Sequence, residues 1–225
     1  MKVGVLLHGS GVYDGTEIQE AVFSLLALAE AGHEYFCFAP NVDQHHVVNH
    51  IDGSEMEEHR NVLIESARIA RGEIQDLASV KPSDMDALFM PGGFGTAKNI
   101  TKWAFSGPEG KILTEVKQLI VGILQNKKPI VALCMSPTTV AKALEGTSFS
   151  ARLSVGSSAE ASPYDIAAIS GGMEAAGAQA AAATIEEISI DSELKIISAP
   201  CYMMEASILE VRDNIKQAVT ALGKL

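Results

Sequence analysis

Cys134 stands where a thiol can do chemistry. In KKPIVALCMSPTTVAKAL the apolar run Ile130 to Leu133 ends in the sulfur, and a helix-like pattern resumes at once. That order reads as a buried strand, a sharp turn and a helix, with the cysteine at the turn. A thiol there sits near the positive end of a helix, which favours the thiolate, the nucleophilic form. The competing reading is an inert core atom, because cysteine is among the most buried residue types.

A second segment, PGGFGTAKN, follows the apolar run Ala87 to Met90. Its close-set glycines let backbone amides approach a ligand with no Cβ in the way. The amides of Gly92 and Gly93, with that of Met135 after the cysteine, would form an oxyanion hole for charge developing on a carbonyl oxygen. A plain tight turn is the alternative. GSGVYDG is not the GxGxxG of a dinucleotide site, and GxxxxGK[ST] is absent.

A cysteine nucleophile needs a proton acceptor. All six histidines precede Cys134, so a chain order of Cys, His, acid cannot be assembled. His8, just beyond the first strand, is the histidine candidate. His45, His46 and His50 lack an acid or cysteine to complete a ligand set and read as a solvated loop; no metal is expected. Glu17 and Glu20 open the first helix behind Thr16, a credible N-cap. Acids there can serve the helix dipole alone. Yet Glu20, one turn in, would point to the sheet edge if Ile18, Ala21 and Leu25 face the core. A carboxyl group buried beside a thiol has a raised pKa and can share a proton with it.

The elements that must position these groups recur along the chain. Strand-length apolar runs fall at Val3–Leu7, Tyr35–Ala39, Ala87–Met90, Ile130–Leu133 and, more weakly, Lys195–Ser198. Helical spacing marks 17–31, closed by Gly32, then 112–124, and about 203–222. Strands alternating with helices mean βαβ units, a mostly parallel sheet and helices on both faces. TIEEISIDSELKIIS alternates apolar and polar residues around a turn and reads as a terminal hairpin. GGMEAAGAQAAAA reads as an Ala-rich helix, and 41–81 as an insertion, containing one helix, over an end of the sheet. In such a sheet, ligands bind outside the carboxyl ends of the strands, where the segments after strand one, Met90, Leu133 and Ser198 all emerge.

Bulk properties bound the answer. With 225 residues, 47% of them apolar and 20% charged, the chain suits one α/β domain with a substantial core. A net charge of −11 argues against nucleic acid or an anionic membrane as partner. MKVGVLL opens as a strand rather than a signal peptide, and no run of 18 apolar residues appears. Three scattered cysteines suit a reducing, cytoplasmic setting.

Strand–PGGFG–helix followed by strand–Cys–helix resembles the glutamine-amidotransferase-like ThiJ/PfpI superfamily. GSGVYDGTEIQEA, RNVLIESARIARGEI, MPGGFGTAKN and APCYMMEA resemble its ElbB branch, the isoprenoid-biosynthesis proteins with an amidotransferase-like domain. The likeness covers nearly the whole chain as a single domain, 1–225. It implies a flavodoxin-like three-layer sandwich, Cys134 as nucleophile at an elbow, and Glu20 as the acid that hydrogen-bonds it. Glu20 is preferred to Glu17 because it lies twelve residues before Gly32, the spacing the superfamily's acid keeps. Some members of the branch are cofactor-free glyoxalases. Many members of the wider superfamily place a histidine after a short strand that corresponds to ARLSVG; here that residue is Ser157.

The expectation is therefore a cytoplasmic, cofactor-independent thiol enzyme acting on glyoxal or methylglyoxal, with Cys134 attacking and Glu20 moving the proton. A redox- or metabolite-responsive thiol protein is the alternative class. An amidase or glutaminase would have to borrow His8 or a group from another subunit. A small aldehyde is the expected substrate, and a homodimer the expected assembly.

Overall fold

Each of the central strands is apolar throughout because both its faces are covered. In the computed structural model, which describes residues 1–225, β1 (Lys2–Leu6), β2 (Glu34–Ala39), β3 (Ile74–Asp76), β4 (Ala87–Met90) and β5 (Ile130–Leu133) run parallel. A separate two-stranded ladder pairs β6 (Arg152–Leu153) with β7 (Gln179–Ala180). The main sheet closes with β8 (Ser189–Asp191) antiparallel to β9 (Ile196–Ala199), which is the hairpin read from the alternation. The seven-stranded order is β3-β2-β1-β4-β5-β9-β8. All four residues of β4, β5 and β9 are buried. This is the mostly parallel α/β, flavodoxin-like arrangement expected.

The helices are α1 (Ile18–Glu30), α2 (Val62–Ile69), α3 (Trp103–Ser106), α4 (Thr114–Gln125), α5 (Ser136–Leu144), α6 (Ile166–Ala175) and α7 (Ile208–Leu222). Helix α1 packs on α7, and α4 packs on α5. The strand order reverses between β1 and β4, which opens a crevice at their carboxyl ends. The loops after β1, β4, β5 and β9 meet there.

The structure corrects several sequence readings. The N-cap of α1 is Glu17, whose carboxylate accepts the Glu20 N–H at 2.6 Å, and not Thr16, whose hydroxyl accepts from the His8 amide at 2.8 Å. Ile18, Val22 and Leu26 lie on the solvent side of α1. The Ala-rich segment is no continuous helix: α6 stops at Ala175, Gly177 takes φ +94°, and β7 follows. Residues 201–203 form a separate short turn, so α7 starts at Ile208. Edge strand β3 carries too few apolar residues to show by periodicity. The 41–61 part of the insertion is held by isolated bridges, Asp43 to Asn61 and Val48 to Glu55.

Candidate active site

Cys134 sits one residue past β5 and two before α5, at φ +56°. A left-handed conformation is uncommon for a residue with a Cβ and marks a position held by its surroundings. Its N–H continues the sheet ladder, donating to the Ala199 carbonyl at 2.8 Å. Two residues on, the Ser136 hydroxyl donates to the Pro91 carbonyl at 2.7 Å and ties the elbow to the glycine loop. The side chain is buried.

Glu20 is brought to this sulfur by the way α1 docks. The Glu17 N–H donates to the Gly92 carbonyl at 2.8 Å, and the Gly92 N–H donates to Glu20 Oε2 at 2.9 Å. Glu20 Oε1 accepts the Tyr202 N–H at 3.3 Å, and the carboxyl group lies beside the Cys134 thiol. Glycine at position 92 is a steric requirement. A Cβ there would lie 2.5 Å from Glu20 Oε2 and 2.8 Å from Cys134 Sγ. Gly93 is required differently, by its φ of +106°.

The electrostatics run against the expected thiolate. Burial, then the Glu20 charge, pushes the Cys134 thiol well above its ordinary range. The nearby backbone amides of Gly93 and Met135 offset this in part. Burial, then the neighbouring Glu17 charge, raises Glu20 to about 8. Glu17, which lines the same cavity, is raised by its own burial. The helix-terminus argument fails because taking an anion out of water outweighs two amide dipoles. At neutral pH the pair holds both protons.

The other candidates separate. The Gly92 amide, expected to face an oxyanion, is taken by Glu20. Gly93 and Met135 remain the amides that converge on the sulfur. His8 is fully buried behind the glycine loop, with Nε2 on the Pro91 carbonyl at 3.1 Å and Nδ1 on Thr16 Oγ1 at 3.3 Å. Burial lowers its pKa to about 4, so it stays neutral and does not line the thiol cavity. Ser157 accepts the Ala159 N–H within its own turn at 3.2 Å. His45 and His46 stack with Phe105, and no group of three His, Cys, Asp or Glu side chains is set to hold a metal.

Five residues missed from sequence complete the cavity. Val12, Phe94, Tyr164, Tyr202 and Met203 line it beside the sulfur. The free volume left beside it is about 10 Å³, enough for about one water molecule. A second thiol, Cys201, is fully buried nearby at φ +46°, and its N–H donates to Asn214 Oδ1 at 3.1 Å. The APCYMME segment signalled Tyr202 and Cys201 by its place after β9. Tyr164 lies in the loop between β6 and α6, and no local pattern marks it.

No family model matches the chain. The human glutamine amidotransferase-like class 1 domain-containing protein 3, mitochondrial, is 39% identical over 226 residues, spanning all of this chain and 83% of that protein. The crystal structure of an isoprenoid biosynthesis protein with amidotransferase-like domain from Ehrlichia chaffeensis superposes with a TM-score of 0.89 at 31% identity, over 100% of this chain and 98% of that one. Glyoxalase III from Candida albicans shares the fold, with a TM-score of 0.60 at 13% identity over 98% and 97%. Coverage from end to end, together with the elbow and glycine loop, settles the kinship: the chain belongs to the glutamine amidotransferase-like class 1 (ES1) family, on the ElbB-like branch of the ThiJ/PfpI fold.

Proposed function

We propose that the protein is a cofactor-independent glyoxalase, converting glyoxal or methylglyoxal to the 2-hydroxy acid. One observation carries the reading: a buried thiol lies beside a buried carboxyl group, each within 3 Å of where a Cβ on Gly92 would stand, and no imidazole enters the thiol cavity. Hydrolysis of an amide needs a strong proton donor for the leaving amine, and this site offers none of the usual kind. An internal redox shift within an α-oxoaldehyde needs only a sulfur and one proton shuttle.

The steps balance without an external reductant. Cys134 Sγ bonds to the aldehyde carbon while its proton passes to the Glu20 carboxylate, and the new oxyanion takes hydrogen bonds from the Gly93 and Met135 amides. Glu20 returns that proton to the oxyanion to give the hemithioacetal. Again a carboxylate, it moves the C–H proton of the former aldehyde carbon to the adjacent carbon through an enediol, while the hydroxyl proton of the hemithioacetal passes to the neighbouring oxygen. The product is a 2-hydroxyacyl thioester on Cys134. Water cleaves it, restoring the thiol and releasing the 2-hydroxy acid. Substrate has to displace Tyr164 or Tyr202, since about 10 Å³ does not admit three carbons. A reducing compartment suits the free thiols, and the cytoplasm is the one we assign.

The test is consumption of glyoxal and methylglyoxal, with glycolate and lactate measured as their respective products. Cys134→Ala should abolish turnover, and Glu20→Gln should lower it by a factor of about 10² to 10⁴. Wild type no faster than Cys134→Ala overturns the reading. A second class, an oxidisable thiol sensor, is favoured by the second buried cysteine beside the first. Peroxide-dependent mass gain on Cys134 in a protein without turnover would select it. We assign a homodimer to the assembly, supported by the exposed apolar row Ile18, Val22 and Leu26 on α1.

A further inference from the structure

A second, wider cleft of about 500 Å³ adjoins the thiol cavity. Its walls are largely aromatic: Tyr13, His46, Phe94, Phe105 and Tyr164. Phe94 and Tyr164 belong to both spaces. Their rings meet edge to face, with centroids 5.7 Å apart at 69°, and form the partition between cleft and sulfur. A cavity with room for about one water molecule thus opens, across two side chains, onto one of drug-sized volume.

The cleft also carries positive charge on a molecule of net charge −11. Lys98 Nζ lies in its lining, 5.6 Å from the Phe94 ring centroid, and donates one hydrogen bond to the Tyr13 carbonyl at 2.8 Å. An ammonium has three donors, so two remain. Lys102 stands behind it, donating to the Lys98 carbonyl at 2.7 Å and facing His45 Nδ1 at 3.3 Å. Neither ammonium has a carboxylate within 4.0 Å. The acids that act on Lys98 are Asp14 and Glu55, and Glu55 lies 3.9 Å from His46 Nε2. Half-buried and without an ion partner, Lys98 is placed to take an anion from solution.

We infer that this cleft is the tail-binding subsite for the substrate of Cys134, and that it takes a flat apolar group ending in an anion. The inference rests on the α-oxoaldehyde reading of the thiol. Glyoxal and methylglyoxal leave the cleft empty. An aryl oxoaldehyde with a carboxylate at its far end places its ring among the aromatic walls, its anion at Lys98 and its aldehyde past Phe94 and Tyr164 at the sulfur. Aromatic faces supply contact area at low entropic cost, and the ammonium supplies direction.

The experiment compares kcat/KM for 4-carboxyphenylglyoxal and for phenylglyoxal. Wild type should prefer the charged compound by about tenfold. Lys98→Met should erase that preference and Lys98→Arg should keep it. Phe105→Glu, at an exposed wall position, should also erase it by repulsion without touching the core. Binding of 4-acetylbenzoate, which has no aldehyde, is measured beside turnover by ligand-observed NMR. Binding to wild type that is lost in Lys98→Met supports the subsite, even where no aldehyde is consumed and the catalytic reading alone falls. Turnover of methylglyoxal with no preference for the charged aryl compound, and no 4-acetylbenzoate binding, overturns the subsite and leaves the catalytic reading standing.

Discussion

Two side chains of opposite reputation, a thiol and a carboxyl group, meet in this site with their protons on. Glu20 at about 8 and Cys134 higher still make the reactive form the one that has lost a single proton. The kcat/KM for methylglyoxal should therefore rise with pH through the region near 8 and level off above it. A profile flat from pH 6 to 8 would show that a preformed thiolate carries the reaction instead. Carbon-13 NMR of the Glu20 carboxyl group, titrating near 8 in wild type, checks the assignment directly. Gly92→Ala tests the close approach, since its methyl group lies within 3 Å of both reacting side chains. Turnover should fall by about 100-fold, because misplacing the pair is costly even with the fold intact. Cys134 was legible from its strand–turn–helix setting, whereas position in α1 left Glu17 and Glu20 both open and only the family resemblance favoured Glu20. The direction of the Cys134 shift was not legible, because it depends on how much water the tertiary fold removes.

The elements were readable in proportion to their length and regularity. Strands β4 and β5 match their apolar runs, and α4 and α7 follow their helical spacing. Strands β3 and β7 escaped because three and two residues carry no period, and pairing with a neighbour is what makes them strands. The spacing in α1 predicts one buried apolar stripe, and the structure divides it. Ala21 and Leu28 are buried while Ile18, Val22 and Leu26 are each close to half exposed. If that row forms the homodimer contact, Leu26→Asp should yield a monomer by light scattering with the fold retained. A variant of unchanged mass would remove α1 from the interface. Helix α7 begins with a capping box, Ser207 with Glu210, whose amides are 2.7 and 3.3 Å from the opposing side chains. Ser207→Ala should cost about 1 kcal/mol in urea unfolding.

At the scale of the molecule, two buried titratable groups set opposite pH dependences. His8 has a folded pKa of about 4 against 6.5 ordinarily, so the unfolded chain binds the extra proton and stability falls as pH drops through that window. Glu20 has a folded pKa of about 8 against 4.5, so the folded state holds the extra proton and stability falls as pH rises through that window. Between pH 4.5 and 6.5 the two slopes cancel. Urea unfolding should show a plateau there and a loss of about 2 kcal/mol from pH 6.5 to 8. Glu20→Gln should abolish the alkaline loss; its persistence would assign the slope elsewhere.

The sequence by itself determined the alternation of strands and helices, the thiol at the elbow, the glycine loop and the exclusion of a histidine after the nucleophile. Each of these is local or a matter of chain order, and neither depends on what packs nearby. Only the tertiary structure decided that the Gly92 amide holds Glu20 rather than an oxyanion, that His8 lies behind the loop, and that Tyr164 and Phe94 close the cavity. These facts join residues 8, 20, 92 and 164 across the sheet edge. They are set by helix docking and by the exclusion of water, which no window of sequence contains.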